Sequence, residues 1–266
     1  MSFAQIAVVA AAALTITLIQ SSRASNQSER PYGLTARPIS KPYLRLPQLA
    51  SGKFPPLLSQ TGSFENVRTL IPKPNLIPYE LIVPFWSDGA SKSRWVSLPN
   101  GEIKFRPNGE WTFSNGTVFV KEFELPIDDT NPLIKRRLET RFLVRDRTRG
   151  VYGITYKWRP DNSDADLLAT SVTEDLTIKT ASGTRTQTWY YPSREDCLTC
   201  HTSNAGGVLG MKSGQMNREI TYPSGVSDNE LRALNHLGLF DPKLRDSELA
   251  ALPRLSPHAA RTALLM

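Results

Sequence analysis

Three Asn-Gly pairs, at 100–101, 108–109 and 115–116, divide the stretch from Trp95 to Leu125 into short segments. Asn and Gly tolerate the positive φ angles that tight hairpin turns require. The segments EIKF, EWTF and TVFVKEF alternate polar with apolar or aromatic residues, which is the period of half-buried strands. This stretch therefore predicts a β-meander and restricts the chain to a fold built on antiparallel sheet.

Further strands are predicted at 136–146, 150–160 and 184–192, where strand-like segments are separated by turn residues. A succession of short strands is typical of two packed antiparallel sheets. We therefore expect residues 61–195 to form an antiparallel, sandwich-like β domain, and the protein to be mainly β.

The character of the chain changes after residue 196. Ser227 is the expected N-cap of a helix containing LRALNHLGLF, and Gly238 is expected to end that helix. Ser256 and Pro257 are typical of the cap and first turn of another short helix. Residues 196–266 are therefore expected to form a short α-helical segment after the β domain.

An uncharged apolar run, IAVVAAAALTITLI, occupies residues 6–19. It is short for a membrane-spanning helix but has the length of a signal-peptide core. Ser22 and Ala24 stand where a signal peptidase reads small residues, although no Lys or Arg precedes the run. We expect residues 1–24 to be a cleaved signal peptide, with an uncleaved anchor or a buried helix as alternatives. A cleaved signal peptide or an uncleaved anchor would each export the chain to the periplasm or beyond it. The uncleaved anchor would also tether it to the membrane.

The segment 25–60 is rich in proline. Proline lacks the N–H donor that helices and central strands need. We expect an extended segment that lies along the domain or links it to the membrane.

The chain is basic, with 32 Lys and Arg against 25 Asp and Glu and a formal net charge of +7. No block of five or more basic residues is present, so the sequence predicts no nucleic-acid-binding arm and no polybasic membrane patch. We interpret the excess as a solvated cationic surface, with a face for an acidic partner as the alternative.

The two cysteines of the chain occur in Cys197-Leu-Thr-Cys200-His201, a C-x-x-C-H motif. Two thiols at this spacing can each add to one vinyl group of a haem, and the next residue, His201, can then bind the iron axially. The motif is typical of c-type haem attachment. We therefore predict one covalent haem c held by Cys197, Cys200 and His201, with His201 as the metal ligand.

Three alternatives to haem remain at this motif. A thiol–disulfide redox motif usually opens a helix after a strand in a βαβ unit, whereas the upstream region here is predicted to be antiparallel. A zinc site needs four ligands, and His236 and His258 do not form a closely spaced pair. An inert chance occurrence is the third. The sixth iron ligand stays open among Met211, Met216, His236, His258 and none.

Several long segments resemble a family of secreted, largely uncharacterised c-type haem proteins, described as dihaem or cytochrome c-like. The resemblance covers residues 32 to 255 and rests on LSQTGSF (58–64), LIPYELIVPFWSDGASKSRW (76–95), GTVFVKEFEL (116–125), RRLETRFLV (136–144), YGITYKWRPDNSDADLL (152–168), WYYPSREDCLTCHTSNAGGVLG (189–210) and QMNRE (215–219).

The resemblance implies electron transfer at the cell envelope with a redox partner protein. Some family members are similar to, or fused with, quinone-dependent sugar-dehydrogenase-type β-propellers, so such a dehydrogenase is the partner that the resemblance suggests. Family members continue into a second C-x-x-C-H segment, which this sequence lacks, so we expect either a truncated product or a single-haem variant. Met216 stands where the family has Leu, which favours a core role for it.

The segment WSDGASKSRW has two interpretations. Trp86, Asp88, Lys92 and Arg94 could line a pocket and hold haem propionates or another anion. Alternatively, Asp88 begins a turn, and Trp86 and Trp95 anchor the core. We favour the second interpretation. For Glu139 and Arg141, which share a strand face, we expect a cross-strand ion pair rather than catalysis.

The first functional hypothesis is an electron carrier without catalytic residues. The alternatives are a haem-dependent oxidoreductase or peroxidase-like subunit whose β domain holds a substrate, and a binding module with a vestigial haem site. The large β region supports these alternatives, because it exceeds what the attachment of one haem requires.

Overall fold

The computed structural model describes residues 30–36, 44–99, 102–148 and 150–256. By internal contacts the chain divides into Met1–Pro31 and Tyr32–Met266, and every element named below belongs to the second unit. The predicted signal peptide or anchor at 1–24 and the predicted helix at 257–266 lie outside the described residues. In the part of the chain that is described, no helix is long and apolar enough to cross a membrane.

The described chain is mainly β. Its strands are β1 (Phe64–Asn66), β2 (Ile71–Pro72), β3 (Ile77–Pro78), β4 (Ser91–Ser97), β5 (Ile103–Lys104), β6 (Val118–Pro126), β7 (Lys135–Arg145), β8 (Val151–Trp158), β9 (Ala165–Leu167), β10 (Val172–Thr180), β11 (Gly183–Tyr191), β12 (Glu219–Thr221), β13 (Ser227–Asn229) and β14 (Phe240–Asp241). Its α-helices are α1 (Arg194–Cys200), α2 (Ser213–Met216), α3 (Glu230–His236) and α4 (Asp246–Ala250). Short 3₁₀ turns occupy Leu58–Thr61 and Ser203–Ala205.

The central feature is a six-stranded antiparallel sheet in the order β3-β4-β6-β7-β8-β9. The strands predicted at 136–146, 150–160 and 184–192 are confirmed as β7, β8 and β11, whereas β10 was not foreseen. β10 and β11 form a separate hairpin. The expectation of a mainly antiparallel β domain is confirmed, but two packed sheets of similar size are not present in the described residues. A hairpin and short segments cover the central sheet instead.

The predicted meander from Trp95 to Leu125 is only partly present, because its middle segments meet in a single antiparallel bridge between Lys104 and Thr112 and do not join the central sheet. β4 pairs directly with β6, while β5 forms a short parallel pair with β14. The reason is burial, because the apolar side chains of this stretch enter a core shared with the C-terminal segment. They are Ile103, Phe105, Trp111 and Phe113. The turns themselves are present, with φ of 84° at Gly109 and 83° at Gly116.

Alternation along β6 divides the apolar core into three clusters. Val118 and Val120 enter the first cluster, on one face of the sheet. On the other face, Phe119 enters a second cluster and Phe123 a third. Lys121 lies between Phe119 and Phe123 on that face, because successive side chains of a strand alternate. The second cluster also contains residues from the C-terminal segment, among them Val208, Met211, Met216 and Leu231.

The described part of the proline-rich segment lies along the first cluster. The Tyr156 hydroxyl donates to the Pro55 carbonyl at 2.8 Å, and the Leu167 amide donates to the Pro56 carbonyl at 3.0 Å. Through their carbonyls, Pro55 and Pro56 thus hold the extended segment against the sheet. Proline can take part in such bonds only as an acceptor, because it has no N–H.

The helix expected near LRALNHLGLF is confirmed as α3, but its N-cap is Asn229 rather than Ser227. The Asn229 side chain accepts from the amides of Leu231 and Arg232, while Ser227 belongs to β13. Gly238, with φ of 68°, follows the helix as expected.

Helix α1 packs against β8, and Gly153 is the point of close approach. A Cβ built at Gly153 would come within 2.4 Å of Cys197 Sγ and 2.6 Å of Cys197 Cβ. A side chain at this position would therefore force the helix away from the sheet.

We predict that Gly153→Ala lowers the free energy of unfolding by about 1–3 kcal/mol, the usual cost of overpacking. Urea denaturation of the full chain measures this change. Gly150→Ala is the matched control, because its Cβ would meet side-chain atoms no closer than 3.4 Å. Equal stability of the two variants would contradict the close approach.

Candidate functional site

The C-x-x-C-H motif lies on α1 and at its C-terminal end. Ser193 is the N-cap and forms a capping box with Asp196, in which the Asp196 amide donates to Ser193 Oγ at 3.2 Å and the Ser193 amide donates to Asp196 Oδ2 at 2.8 Å. This cap fixes where the helix begins. Cys197 and Cys200 are then three residues apart and share one side of the helix.

Both cysteines are free thiols, but their surroundings differ. Cys197 is half-buried, its Sγ lies 3.4 Å from the Ser193 carbonyl oxygen, and burial raises the pKa of its thiol. Cys200 is exposed. One thiol is therefore fixed against the sheet, and the other remains accessible at the rim of the site.

His201 follows the helix and is oriented by the backbone. Its amide donates to the Cys197 carbonyl at 3.1 Å, and its Nδ1 lies 3.0 Å from the Gly207 carbonyl oxygen. Since a carbonyl only accepts, Nδ1 carries the proton and Nε2 keeps its lone pair. The chain can return to His201 because Gly206 and Gly207 adopt φ of 69° and 75°, which favour glycine.

The surroundings of the imidazole favour its neutral form. Burial lowers the pKa of His201, the charges of Lys121 and Arg141 lower it further, and the bond to Gly207 opposes them. A neutral imidazole with Nδ1–H bonded to a carbonyl and Nε2 free is the usual arrangement of a metal-ligating histidine.

A cavity of about 130 Å³ opens beside the motif. Its apolar wall comes mainly from Tyr79, Phe119, Leu143, Val208 and Leu209. Cys197, Cys200, His201, Lys121 and Arg141 also line it. The cavity is smaller than the roughly 300–1,000 Å³ of pockets that bury most of a drug-sized ligand. The described residues thus supply an attachment edge and one wall rather than a complete enclosure for a group the size of haem.

Two cations of the cavity wall, Lys121 and Arg141, lie close to further cations of the sheet. Lys121 on β6 lies directly opposite Arg94 on β4 and Arg141 on β7 in the sheet register. Burial lowers the pKa of Lys121 to about 7, and the charges of Arg141, Arg94 and Lys92 contribute. Lys92, whose pKa is lowered to about 8 chiefly by burial, donates to the Phe85 carbonyl.

The candidate sixth ligands do not line this cavity where they can be placed. Met211 and Met216 are buried in the second core cluster, with 1% and 0% exposure. His236 stacks on Tyr32 with ring centroids 3.6 Å apart. His258 lies outside the described residues.

The WSDGASKSRW segment is a turn, as favoured, but one of its predicted anchors is wrong. Asp88 and Gly89 adopt φ of 45° and 83° and form the turn, and Trp95 packs against the first cluster. Trp86 is 75% exposed and so does not anchor the core, because its loop leaves the sheet. Glu139 and Arg141 form an ion pair within β7 rather than across strands, with Arg141 Nη2 2.5 Å from Glu139 Oε1.

The alternative uses of the motif gain no support from this geometry. Both thiols lie beyond the first turn of α1, and the raised pKa of Cys197 opposes formation of the reactive thiolate that a redox motif needs. Among the residues that the structure describes, no three His, Cys, Asp or Glu side chains cluster as they would around a metal ion.

Sequence reasoning missed the residues around the motif. Lys121 could have been found from the sequence, because it is a lysine between Phe119 and Phe123 on the apolar face of an alternating strand. Gly153 could also have been found, because a glycine within a strand pattern indicates the close approach of another segment. Arg141 and Tyr79 have no comparable sign, because only the sheet register brings them to the cavity.

Comparison with known proteins adds no relatives: the chain matches no protein-family model, no curated protein and no solved structure.

We predict that in the haem-free chain the His201 imidazole is neutral at pH 7 and protonated at Nδ1, as measured by ¹⁵N NMR. Since the unfolded chain binds this proton with a pKa near about 6.5 and the folded chain only at lower pH, the free energy of unfolding should fall as pH drops below that value. His201→Gln, whose amide can still donate to Gly207, should reduce this decline. A charged imidazole at pH 7 would contradict the geometry.

Proposed function

We propose that this protein is an exported c-type haem protein that transfers electrons through one covalently attached haem. One observation carries the proposal: the motif places two thiols and an oriented, neutral histidine on a single cavity. The haem-binding role of the short helical segment after residue 196 is part of the same proposal.

Each residue of the motif has a defined role in it. Cys197 and Cys200 would hold the haem by thioether bonds, and His201 would bind the iron through Nε2. The Gly207 carbonyl fixes the tautomer and the ring orientation of His201, as the outer partners of ligating histidines do. When bound, haem supplies reversible one-electron oxidation and reduction of its iron.

The apolar wall sets the environment of that site. Phe119 and Val208 are nearly fully buried and line the cavity on the side of the second core cluster. They keep water from the inner side, which lowers the local dielectric and so influences the reduction potential. The exposed Cys200 leaves the opposite edge open toward solvent, where an electron can pass to or from a partner.

Export and partner belong to this proposal. Residues 1–24 have the pattern of a signal peptide, and haem is attached to c-type cytochromes outside the cytoplasm. We propose a redox partner protein at the cell envelope, with a quinone-dependent dehydrogenase as the class that the sequence resemblance favours.

The direct test is a pyridine haemochrome assay on the chain expressed with its N-terminal segment in a host that matures c-type cytochromes. We expect one covalent haem per chain, and none in the Cys197→Ala/Cys200→Ala variant. Well-folded wild-type protein without covalent haem would refute the proposal.

Peroxide turnover separates the carrier from the haem-dependent oxidoreductase. We expect no turnover, and a low-spin, six-coordinate spectrum without turnover would favour the carrier. An open sixth position with turnover would favour the oxidoreductase.

We predict that Met211→Leu and Met216→Leu each leave the visible spectrum of the haem-loaded protein unchanged, because both thioethers are packed in the core. Each swap conserves volume and should cost less than about 1.5 kcal/mol in unfolding free energy. Absorption spectra of both redox states measure the outcome. A change of spin state in one variant would identify that methionine as an iron ligand.

A further inference from the structure

Three cations face one another across the middle of the sheet. Arg94, Lys121 and Arg141 are direct register partners on β4, β6 and β7. Like charges directly opposite one another in a sheet are destabilising. The apolar clusters on either side, entered by Phe119 and Phe123, limit the access of water that would otherwise screen this repulsion.

The carboxylates nearby compensate this row only in part. Arg141 pairs with the buried Glu139, and Arg94 Nη1 lies 3.6 Å from the partly exposed Glu80 Oε2. The Lys121 ammonium lies 5.8 Å from the centre of the Phe123 ring. The Glu139 charge acts on it at longer range, and no carboxylate in the described part of the chain forms an ion pair with it. The row therefore keeps an excess of positive charge, most fully at a pH below the Lys121 pKa of about 7.

That excess reaches the cavity of the motif. Lys121 and Arg141 both line it, together with Cys197, Cys200 and His201. Arg94 instead lines a separate groove, on the other side of Tyr79. An anion in the cavity would thus meet a lysine and an arginine on neighbouring strands.

We propose that Lys121 and Arg141 bind a carboxylate group inside the cavity beside His201. Arg141 Nε and Nη2 already donate to the two Glu139 carboxylate oxygens, so the guanidinium offers its remaining N–H groups to a second carboxylate. The Lys121 ammonium adds a compact charge beside them. The inference rests on the proposed function in one respect. If a haem is attached, the carboxylate is a side chain of its porphyrin. A free organic acid is the other source with the same chemistry.

The test uses the full chain produced without haem attachment, in a host that lacks the maturation system. It is titrated with iron protoporphyrin IX and with the dimethyl ester of the same porphyrin, in which both carboxylates are masked. We expect the free acid to bind about tenfold or more tightly than the ester, since a hydrogen bond to a charged group contributes about 1.5–3 kcal/mol. Lys121→Gln and Arg141→Gln should each remove most of this preference.

Lys179→Gln is the matched control, because Lys179 is an exposed lysine of the sheet region that pairs with Asp128 away from the cavity. It should keep the preference of the wild type. Lys121→Met controls for a loss of folding. Because it removes a desolvated cation, the free energy of unfolding should stay equal or rise, while the preference for the free acid over the ester is lost. A purely structural lysine would lose stability instead.

Succinate distinguishes the two sources. Binding of succinate that depends on Lys121 and Arg141, without a preference for the porphyrin acid, would support the carboxylate site and assign it to a free organic acid. Equal binding of acid and ester together with no succinate binding, or variants that behave like Lys179→Gln, would overturn the proposal. The haemochrome assay reports separately on covalent attachment, so failure of the proposed function is distinguishable from failure of this inference.

Discussion

The close approach of α1 to β8 at Gly153 determines the geometry of the whole site. It places Cys197 against the sheet, and through the helix it fixes Cys200 at the rim and His201 at the helix end. The capping box at Ser193 sets the start of the helix, and the two left-handed glycines bring the Gly207 carbonyl back to His201. A thiol on a mobile loop would lack this fixed relation to the imidazole and to the cavity wall.

Electrostatics gives the site a second constraint. The sheet holds Lys121 between two arginines in a partly dry environment, where its ammonium is disfavoured. Such an arrangement costs stability, and proteins retain costly arrangements chiefly at functional sites. The same charges help to keep His201 neutral, so the cationic row and the oriented imidazole act together on one cavity.

The sequence predicted much of the fold but less of the site. Strands β7, β8 and β11 follow from local alternation and turn residues, and the motif itself follows from its spacing. The stretch around Ile103 and Trp111 could not be placed, because its strand-like pattern is satisfied by a core shared with distant residues such as Phe240. For the same reason Arg141, considered only as an ion-pair partner of Glu139, and Tyr79 were not assigned to the site. Long-range register, which no local pattern records, brings them to Cys197 and His201.

The central claim is that the two thiols of α1 carry a haem. Peptide mapping by mass spectrometry of the mature, exported chain tests it most directly. The account predicts that the peptide containing Cys197, Cys200 and His201 carries the mass of one haem, bonded through both cysteines. The same peptide with two free thiols, or with a disulfide between them, in protein matured by a competent host would contradict it.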